Sequence, residues 1–481
     1  MQAKLQKFSW LVAGAGVGAL LTAGVSALAS KDTLSPLPLN ELRAFTEVYD
    51  RVKQNYVEPV EDKKLINEAI NGMLSGLDPH SAYLDPESYK DLRVSTAGEF
   101  GGLGLEVNLE DGLVRVVSPI EDTPAARAGI KPGDLIMKID ETPVRGLSLN
   151  EAVSKMRGKP NTQVVLTVLR KGETKPLQFT LMRSIIKVQS VKFKMLEPGF
   201  GYIRLAQFQE RSTEDVARAV EKLYKENKTA LKGLVLDLRN DPGGVLNAAV
   251  GVSSIFLPDD ALVVYTDGRT PDSKVRLTAS REFVGRDGKD SFKSLPREIK
   301  NVPLVVLVNA GSASASEIVA GALQDHKRAV VVGTQTFGKG SVQTILPVGK
   351  DSAIKLTTAR YFTPGGRSIQ AKGIVPDIEV EEAPINGVSL EAFRIREADL
   401  EHHLNNPQGE NRPESKPETR QPEPKSDTKP APAPKKPRSD KDERDEELKP
   451  GEISVKKDPQ LQQALNVLKV QQVVGRTATA K

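Results

Sequence analysis

The sequence predicts an α/β fold: a core of parallel strands alternating with helices, with a mainly-β module inserted before it and a disordered linker after it. Three observations predict this. Apolar strand-like runs from Gly233 to Leu238, Val302 to Val308 and Ala329 to Val332 accompany amphipathic helical runs such as Ile318 to Leu323. Residues 98–185 carry short β-like runs separated by turn signals. Residues 404–450 hold ten prolines among dense charge and no aromatic side chain, so they cannot bury enough apolar area to offset their ordering entropy.

At the N-terminus, Lys4 and Lys7 precede an apolar stretch from Phe8 to Leu28, and Ala27-Leu-Ala29 fits a cleavage pattern. Residues 1–29 therefore read as a secretory signal, or as a retained anchor, since about 20 apolar residues span a bilayer. Either way the body is expected outside the cytoplasm. A helical region follows over 36–97. Leu42, Phe45, Tyr49, Val52 and Tyr56 step by three and four residues and make one apolar stripe. That stripe packs either on the chain's own core or against a second subunit.

Within 98–185, Gly102-Leu103-Gly104-Leu105 opens an alternating strand. Gly129-Ile-Lys-Pro-Gly-Asp134 then leads into the run Leu135 to Ile139, and Ser148 to Met156 reads as a short helix. Arg157 stands at the end of that helix.

Residues 186–385 carry the chemistry. Asn309-Ala-Gly-Ser-Ala-Ser-Ala-Ser-Glu317 joins a strand to a helix, where N–H groups at the helix start stabilise developing negative charge. Phe337-Gly-Lys-Gly-Ser-Val-Gln343 places a lysine and a glutamine four residues apart. A serine can be activated by an unprotonated lysine as well as by histidine, so the pattern reads as a serine–lysine hydrolase. The residues leave Ser312, Ser314 and Ser316 all open as nucleophile. Gly333 to Gly340 also fits G-x-x-x-x-G-K, but Gly340 follows where a magnesium-binding Ser or Thr belongs. Ser341 to Pro347 moreover reads as a strand rather than a helix, which excludes a nucleotide loop.

There is no cysteine, which excludes thiol catalysis, thiolate metal sites and disulfides. The four histidines, His80, His326, His402 and His403, make no zinc spacing, and no metal or other cofactor is expected. A Ser-His-Asp triad built from His326 is the alternative, but that residue is placed about three turns, some 18 Å, along its helix from Ser314. The net charge of +5 comes without aromatic-basic interleaving, which argues against nucleic-acid binding. After the linker, Asp458-Pro459 starts a helix. Leu461, Leu465 and Leu468 recur at helical spacing within an expected terminal element over 451–473 that docks or assembles.

The module over 98–185 resembles a PDZ domain, whose glycine loop at Gly102, Leu103, Gly104 and Leu105 would receive a peptide's C-terminal carboxylate. Together with Leu236-Asp-Leu-Arg-Asn-Asp-Pro-Gly-Gly244, the serine and lysine segments and Thr363-Pro-Gly-Gly-Arg367, it resembles the carboxyl-terminal processing (tail-specific) proteases over about residues 40–385. The resemblance implies a core like that of the Clp proteases and crotonases. It places the nucleophile on Ser314, the general base on Lys339 and the base-orienting residue on Gln343. The oxyanion donors would be the N–H groups of Ala315 and of Gly243 or Gly244.

The resemblance also implies periplasmic action, with or without attachment to the inner membrane. The substrates would be envelope proteins with apolar tails, such as peptidoglycan hydrolases, met with a lipoprotein adaptor in some members. A homo-oligomer through the terminal helices is expected. Arg157 is expected as a surface arginine, with a regulatory contact to the catalytic core as the sharper alternative. The competing function class is a PDZ scaffold with an inactive hydrolase core; an acyl-CoA enzyme of the crotonase kind is more distant, since export leaves it little CoA.

Overall fold

The structure, a computed structural model, describes residues 37–110, 112–280, 292–382, 394–409 and 455–479. The expected signal or anchor at 1–29 and all but the first residues of the expected linker lie outside these. The chain divides into two compact units between Ala69 and Ile70.

In the first unit the helix Leu39–Asn55 carries the stripe foreseen from spacing, yet none of its residues is buried. Leu42 and Phe45 remain 46% and 47% exposed. Asp62 Oδ1 accepts from Tyr49 Oη (2.7 Å) and pairs with Lys53 Nζ (2.6 Å), tying this helix to the start of the next.

In the second unit the helix Pro86–Ala97 begins with an Asp85 cap that accepts from Ser88 N–H, has proline at its first position, and ends at Gly98 in the left-handed region (φ 68°). The PDZ-like module follows. Its antiparallel sheet runs in the order Leu105–Glu110, Leu113–Pro119, Leu135–Ile139, Gln163–Leu169, Leu177–Met182. Val114 and Val116, and Val164, Leu166 and Val168, point inward as a period of two requires, while Ile136 and Ile139 both point inward across a register shift between Ile136 and Lys138. The helix Leu149–Met156 starts from a Ser148/Glu151 capping box. Leu105–Glu110 is an edge strand of this sheet. A separate ladder between Glu99–Gly102 and Ser184–Lys187 brings the module's two ends together.

The core sheet has six strands in the order Val191–Glu197, Phe200–Leu205, Gly233–Asp237, Leu304–Val308, Val330–Gly333, Ile378–Glu379. The last five are mutually parallel, as the α/β reading expects. A parallel sheet must be covered on both faces. Ile203, Leu205, Leu234, Leu236, Val306 and Val308 pack under the helices Ser212–Asn227, Leu246–Phe256 and Ala315–Asp325. On the other face Phe200, Tyr202, Val235, Val305, Leu307 and Val332 meet Leu461, Ala464, Leu465 and Leu468 of the C-terminal helix Pro459–Thr479. The apolar stripe expected to dock or assemble therefore docks on the chain's own sheet. Arg239 locks its start through Asp458 (2.7 Å) and Gln460 (3.0 Å).

A second, antiparallel sheet holds Ala82–Leu84, Ser352–Phe362, Leu262–Gly268 and Arg276–Thr278, with Ser341–Val348 paired to Ser352–Phe362. The region expected to be helical over 36–97 thus also lends a strand to this sheet. The linker was expected from 404, but the start of that stretch is built into the core. Leu404 O accepts from Gln370 Nε2, Asn406 Nδ2 donates to Gln370 O, and Gln408 Oε1 accepts from Ser368 N–H. Proline content marks where packing ends more loosely than these backbone partners do.

Leu468 is fully buried and packs directly over Gly233. Leu468→Ala should therefore cost about 2–5 kcal/mol, while Val470→Ala, on the exposed side, should stay within about 0.5 kcal/mol. Thermal melting of both variants checks this; equal melting temperatures would show that the helix is not docked on the sheet.

Candidate active site

The strand Leu304–Val308 ends in a loop that delivers Ser314 to the start of the helix Ala315–Asp325. The three serines separate at once. Ser312 Oγ donates to Leu238 O (2.8 Å) and Ser316 Oγ to Asp241 O (2.9 Å), and both residues are fully buried. Ser314 is half-buried, with φ 55° and ψ −112°. Such backbone geometry costs on the order of 1–3 kcal/mol and persists where the surroundings over-determine it. Here Ala313 N–H is tied to Asp241 O (3.0 Å), and Asn309 Oδ1 receives the N–H groups of Gly311 and Asn240.

The main constraint is a residue that the sequence reading passed over. Glu317 is completely buried in the first turn of the helix. Its Oε2 accepts the backbone N–H of Ser314 (2.8 Å) and of Lys339 (3.0 Å). Its Oε1 accepts from Gly338 N–H (2.7 Å) and the Thr336 hydroxyl (2.5 Å). One carboxylate thus holds the backbones of Ser314 and Lys339 together. Burial lifts its carboxyl to about 7, the four donors pulling back against that rise. The signal was visible: a glutamate three residues after a serine before an apolar run is a capping box, here with a second use.

Lys339 lies in the loop before the strand Ser341–Val348, and its Nζ donates to Gln343 Oε1 (2.5 Å). The orientation of that amide is settled by its other end. Gln343 Nε2 donates to Ser341 Oγ (3.0 Å) and Thr357 Oγ1 (3.1 Å), while Thr357 gives its own proton to Asp78 Oδ1 (3.0 Å). Asp78 also receives the Ser81 hydroxyl and the N–H groups of His80 and Ser81. Burial would raise the Asp78 carboxyl, but these donors outweigh it and hold it below its ordinary value.

Burial lowers the Lys339 amine to about 8, and Lys355 adds to the effect. Glu397, Glu317 and Asp78 pull the other way. Glu397, itself buried, pairs with His80 (2.8 Å) and accepts from Gln370 Nε2 (2.9 Å). Tyr361, missed by the sequence reading, donates its hydroxyl to Lys339 O and also lies within hydrogen-bonding reach of Ser314. Burial holds its phenol well above the ordinary value.

The glycine loop sits against Ser314: a Cβ on Gly243 would lie 2.8 Å from Ser314 Cβ and from Ala315 N. Gly243 N–H, however, is already given to Asp241 Oδ1 (2.8 Å). Of the two glycines named as alternative oxyanion donors, that leaves Gly244. The other expected residues fall elsewhere. His326 caps the far end of the helix Ala315–Asp325, with Nε2 2.7 Å from Leu262 O. Arg157 pairs with Asp91 (3.1 Å) and stacks over Phe100 (4.9 Å), contacts that lie on the PDZ-like module's border rather than on Ser314, Lys339 or Gln343. In the module's own loop Leu103 is buried, and Gly104 (φ 78°) packs so tightly on Thr123 that a Cβ would lie 2.3 Å away.

The sequence matches the models for Peptidase family S41 over residues 199–380, a PDZ domain over 101–181 and the activating protease CtpB N-terminal domain over 21–88. It is 45% identical over 401 residues to a carboxy-terminal-processing protease of Bartonella bacilliformis, covering 83% of this chain and 88% of that one. The chain belongs to the carboxy-terminal processing protease family. It is a serine protease of the S41 kind with a PDZ domain. It is also 36% identical to the carboxy-terminal processing protease CtpB of Bacillus subtilis over 387 residues, 78% of this chain and 76% of that one. Among solved structures, a photosystem II D1 C-terminal processing protease is 32% identical, covering 70% of this chain and 86% of that one with a TM-score of 0.39.

Glu317→Gln tests the shared carboxylate. The amide brings its own N–H donors into a pocket already holding four, so buried donors go unpaired at about 1–3 kcal/mol each. The melting temperature should fall, and Ser314 labelling by a fluorophosphonate should slow more than tenfold. Labelling at the wild-type rate would reject the positioning role.

Proposed function

We propose that this protein is an exported serine endopeptidase that engages the C-terminal tails of other proteins through its PDZ domain and cleaves them by a serine–lysine mechanism. The observation that carries this reading is the Lys339 amine. It is desolvated, brought down to about 8, and hydrogen-bonded to a neutral amide that supplies no countercharge. An amine at about 8 is neutral in roughly a fifth of molecules near pH 7.4 and in most of them above pH 8, which puts the unprotonated form a general base requires within reach.

In this reading the Lys339 amine takes the Ser314 proton as Ser314 Oγ attacks the scissile carbonyl. The oxyanion is received by the N–H groups of Ala315 and Gly244. The Lys339 ammonium then returns the proton to the departing amine as the C–N bond breaks. Water repeats the sequence on the acyl-enzyme and frees Ser314. Gln343 keeps the amine directed without adding charge, and its Thr357–Asp78 support keeps the amide from turning over.

The tail would add as a strand to the open edge Leu105–Glu110, its terminal carboxylate at the Gly102–Leu105 turn. Leu105, Val107, Leu149 and Val153, partly buried around the module's core, suit an apolar terminal side chain. Export to the periplasm, with or without an inner-membrane anchor, is supported by the N-terminal sequence pattern. No helix among the described residues is long and apolar enough to cross a membrane. Envelope proteins are then the substrate class, with a lipoprotein adaptor as a candidate partner. For self-assembly the exposed stripe on Leu39–Asn55 is the stronger element, since the C-terminal helix is already committed.

Ser314→Ala and Lys339→Ala should each lower peptide hydrolysis by several orders of magnitude, Gln343→Ala by less, and the Ser314/Lys339 double variant should be little worse than either single one. Full activity in Ser314→Ala would sink the assignment. Because the base must shed its proton, kcat/KM should rise with pH through about 8 and level off above it. Activity should also persist in EDTA; loss in chelator and recovery with zinc would replace the mechanism with a metal-dependent one.

A further inference from the structure

Asp241 is a fully buried acid that the serine–lysine chemistry does not use. It stands where two loops meet. Its backbone carbonyl accepts Ala313 N–H (3.0 Å) and the Ser316 hydroxyl (2.9 Å), the residues on either side of the nucleophile's own stretch. Its Oδ1 accepts Gly243 N–H (2.8 Å) and so shapes the turn that presents Gly244. Its Oδ2 is buried and meets no hydrogen-bond partner among the described residues. A carboxylate in such a place would leave charge on an unsolvated oxygen, whereas a carboxylic acid carries its proton there.

We propose that Asp241 is a positioning residue that works uncharged: as the neutral acid it pins the glycine loop to the nucleophile's loop, and its ionisation places a negative charge behind the oxyanion hole and slows the reaction. The loop it pins is close to the reacting residues: a Cβ on Gly243, whose N–H the carboxyl holds, would lie 2.8 Å from Ser314 Cβ and from Ala315 N. A developing oxyanion there would be opposed by a fixed anion in a low-dielectric site. Three charged groups stand on the neighbouring elements besides the Asp237–Arg239 pair in the preceding strand and loop. Arg204 on the strand Phe200–Leu205 favours the ionised form; Glu317, one turn into the nucleophile's helix, and Lys339 beyond it complete the set. Burial dominates and lifts the Asp241 carboxyl to about 7, with Gly243 N–H, Ser316 and Arg204 partly opposing it. Ionisation then falls in the range where Lys339 is losing its proton, so the two groups set opposite pH limbs.

The inference rests on the serine–lysine reading for its kinetic part only. Asp241→Asn keeps the acceptor for Gly243 N–H and removes the charge. The ratio of kcat/KM, Asp241→Asn over wild type, should climb roughly tenfold between pH 6 and pH 9, about the effect of one interior unit charge on a neighbouring ionic state. A second measurement needs no activity. A carboxyl whose folded pKa lies above its unfolded one binds its proton more tightly when folded, so its stabilisation is present at low pH and is lost as pH rises from about 4 to about 7. Asp241→Asn should therefore melt above wild type at pH 8 by a margin that shrinks towards pH 4. A flat activity ratio, or a variant less stable than wild type at pH 8, overturns the proposal. Wild-type protein without peptidase activity, or an active Ser314→Ala, would instead fail the serine–lysine reading and leave the melting comparison to decide Asp241 by itself.

Discussion

The meeting of Ser314 with Lys339 hangs on the buried Glu317 carboxylate. Ser314 and Lys339 come from loops on different sheets, one after a parallel strand and the other before an antiparallel hairpin. No covalent geometry relates them. The two backbone N–H groups converging on Glu317 Oε2 do, and Oε1 adds the Gly338 amide and the Thr336 hydroxyl. A carboxylate with four donors is a costly group to bury, and its elevated carboxyl pKa is the measure of that cost. It also makes the arrangement sensitive to acid, since a protonated Glu317 turns one acceptor into a donor facing other donors.

The proposed base needs the opposite treatment. In the serine–lysine reading Lys339 has to lose charge rather than share it, and its immediate partner is an amide while the carboxylates stand further back. Asp78 lies at the end of a relay through Thr357 and Gln343, and the Glu397 carboxylate is hydrogen-bonded to His80 and Gln370 rather than to the lysine. The site thus holds three acids around a lysine without giving any of them a direct ion pair with it. That separation is why burial still wins and the amine stays near 8.

The fold supplies this by closing the parallel sheet twice. Three helices cover one face, and the other is covered by residues that lie beyond a long proline-rich stretch in the sequence. The Arg239 cluster with Asp237, Asp458 and Gln460 fastens that distant helix beside the strand that leads into the Asp241–Gly244 loop. The stability of the glycine loop is therefore coupled to the last helix of the chain.

Periodicity and local chemistry were enough to read the parallel strands, the β-module with its capping-box helix, the serine loop and the Lys339/Gln343 pair, because each is encoded within a dozen residues. They were also enough to exclude a nucleotide loop, which Gly340 and the strand from Ser341 bear out. Sequence could not choose among Ser312, Ser314 and Ser316 without a family likeness, since their difference lies in Leu238 O and Asp241 O, some seventy residues away. It could not see that Glu317 reaches Lys339, that Asp78 supports Gln343, or that Glu397 approaches the base. It read from the terminal leucines a face that docks, since their spacing specifies an apolar face, but not that the face covers the chain's own sheet. The sequence by itself determined which segments form which elements and which side chains carry reactive groups. The tertiary structure decided which buried acid meets which donor, because burial and hydrogen-bond convergence depend on residues far apart in the chain.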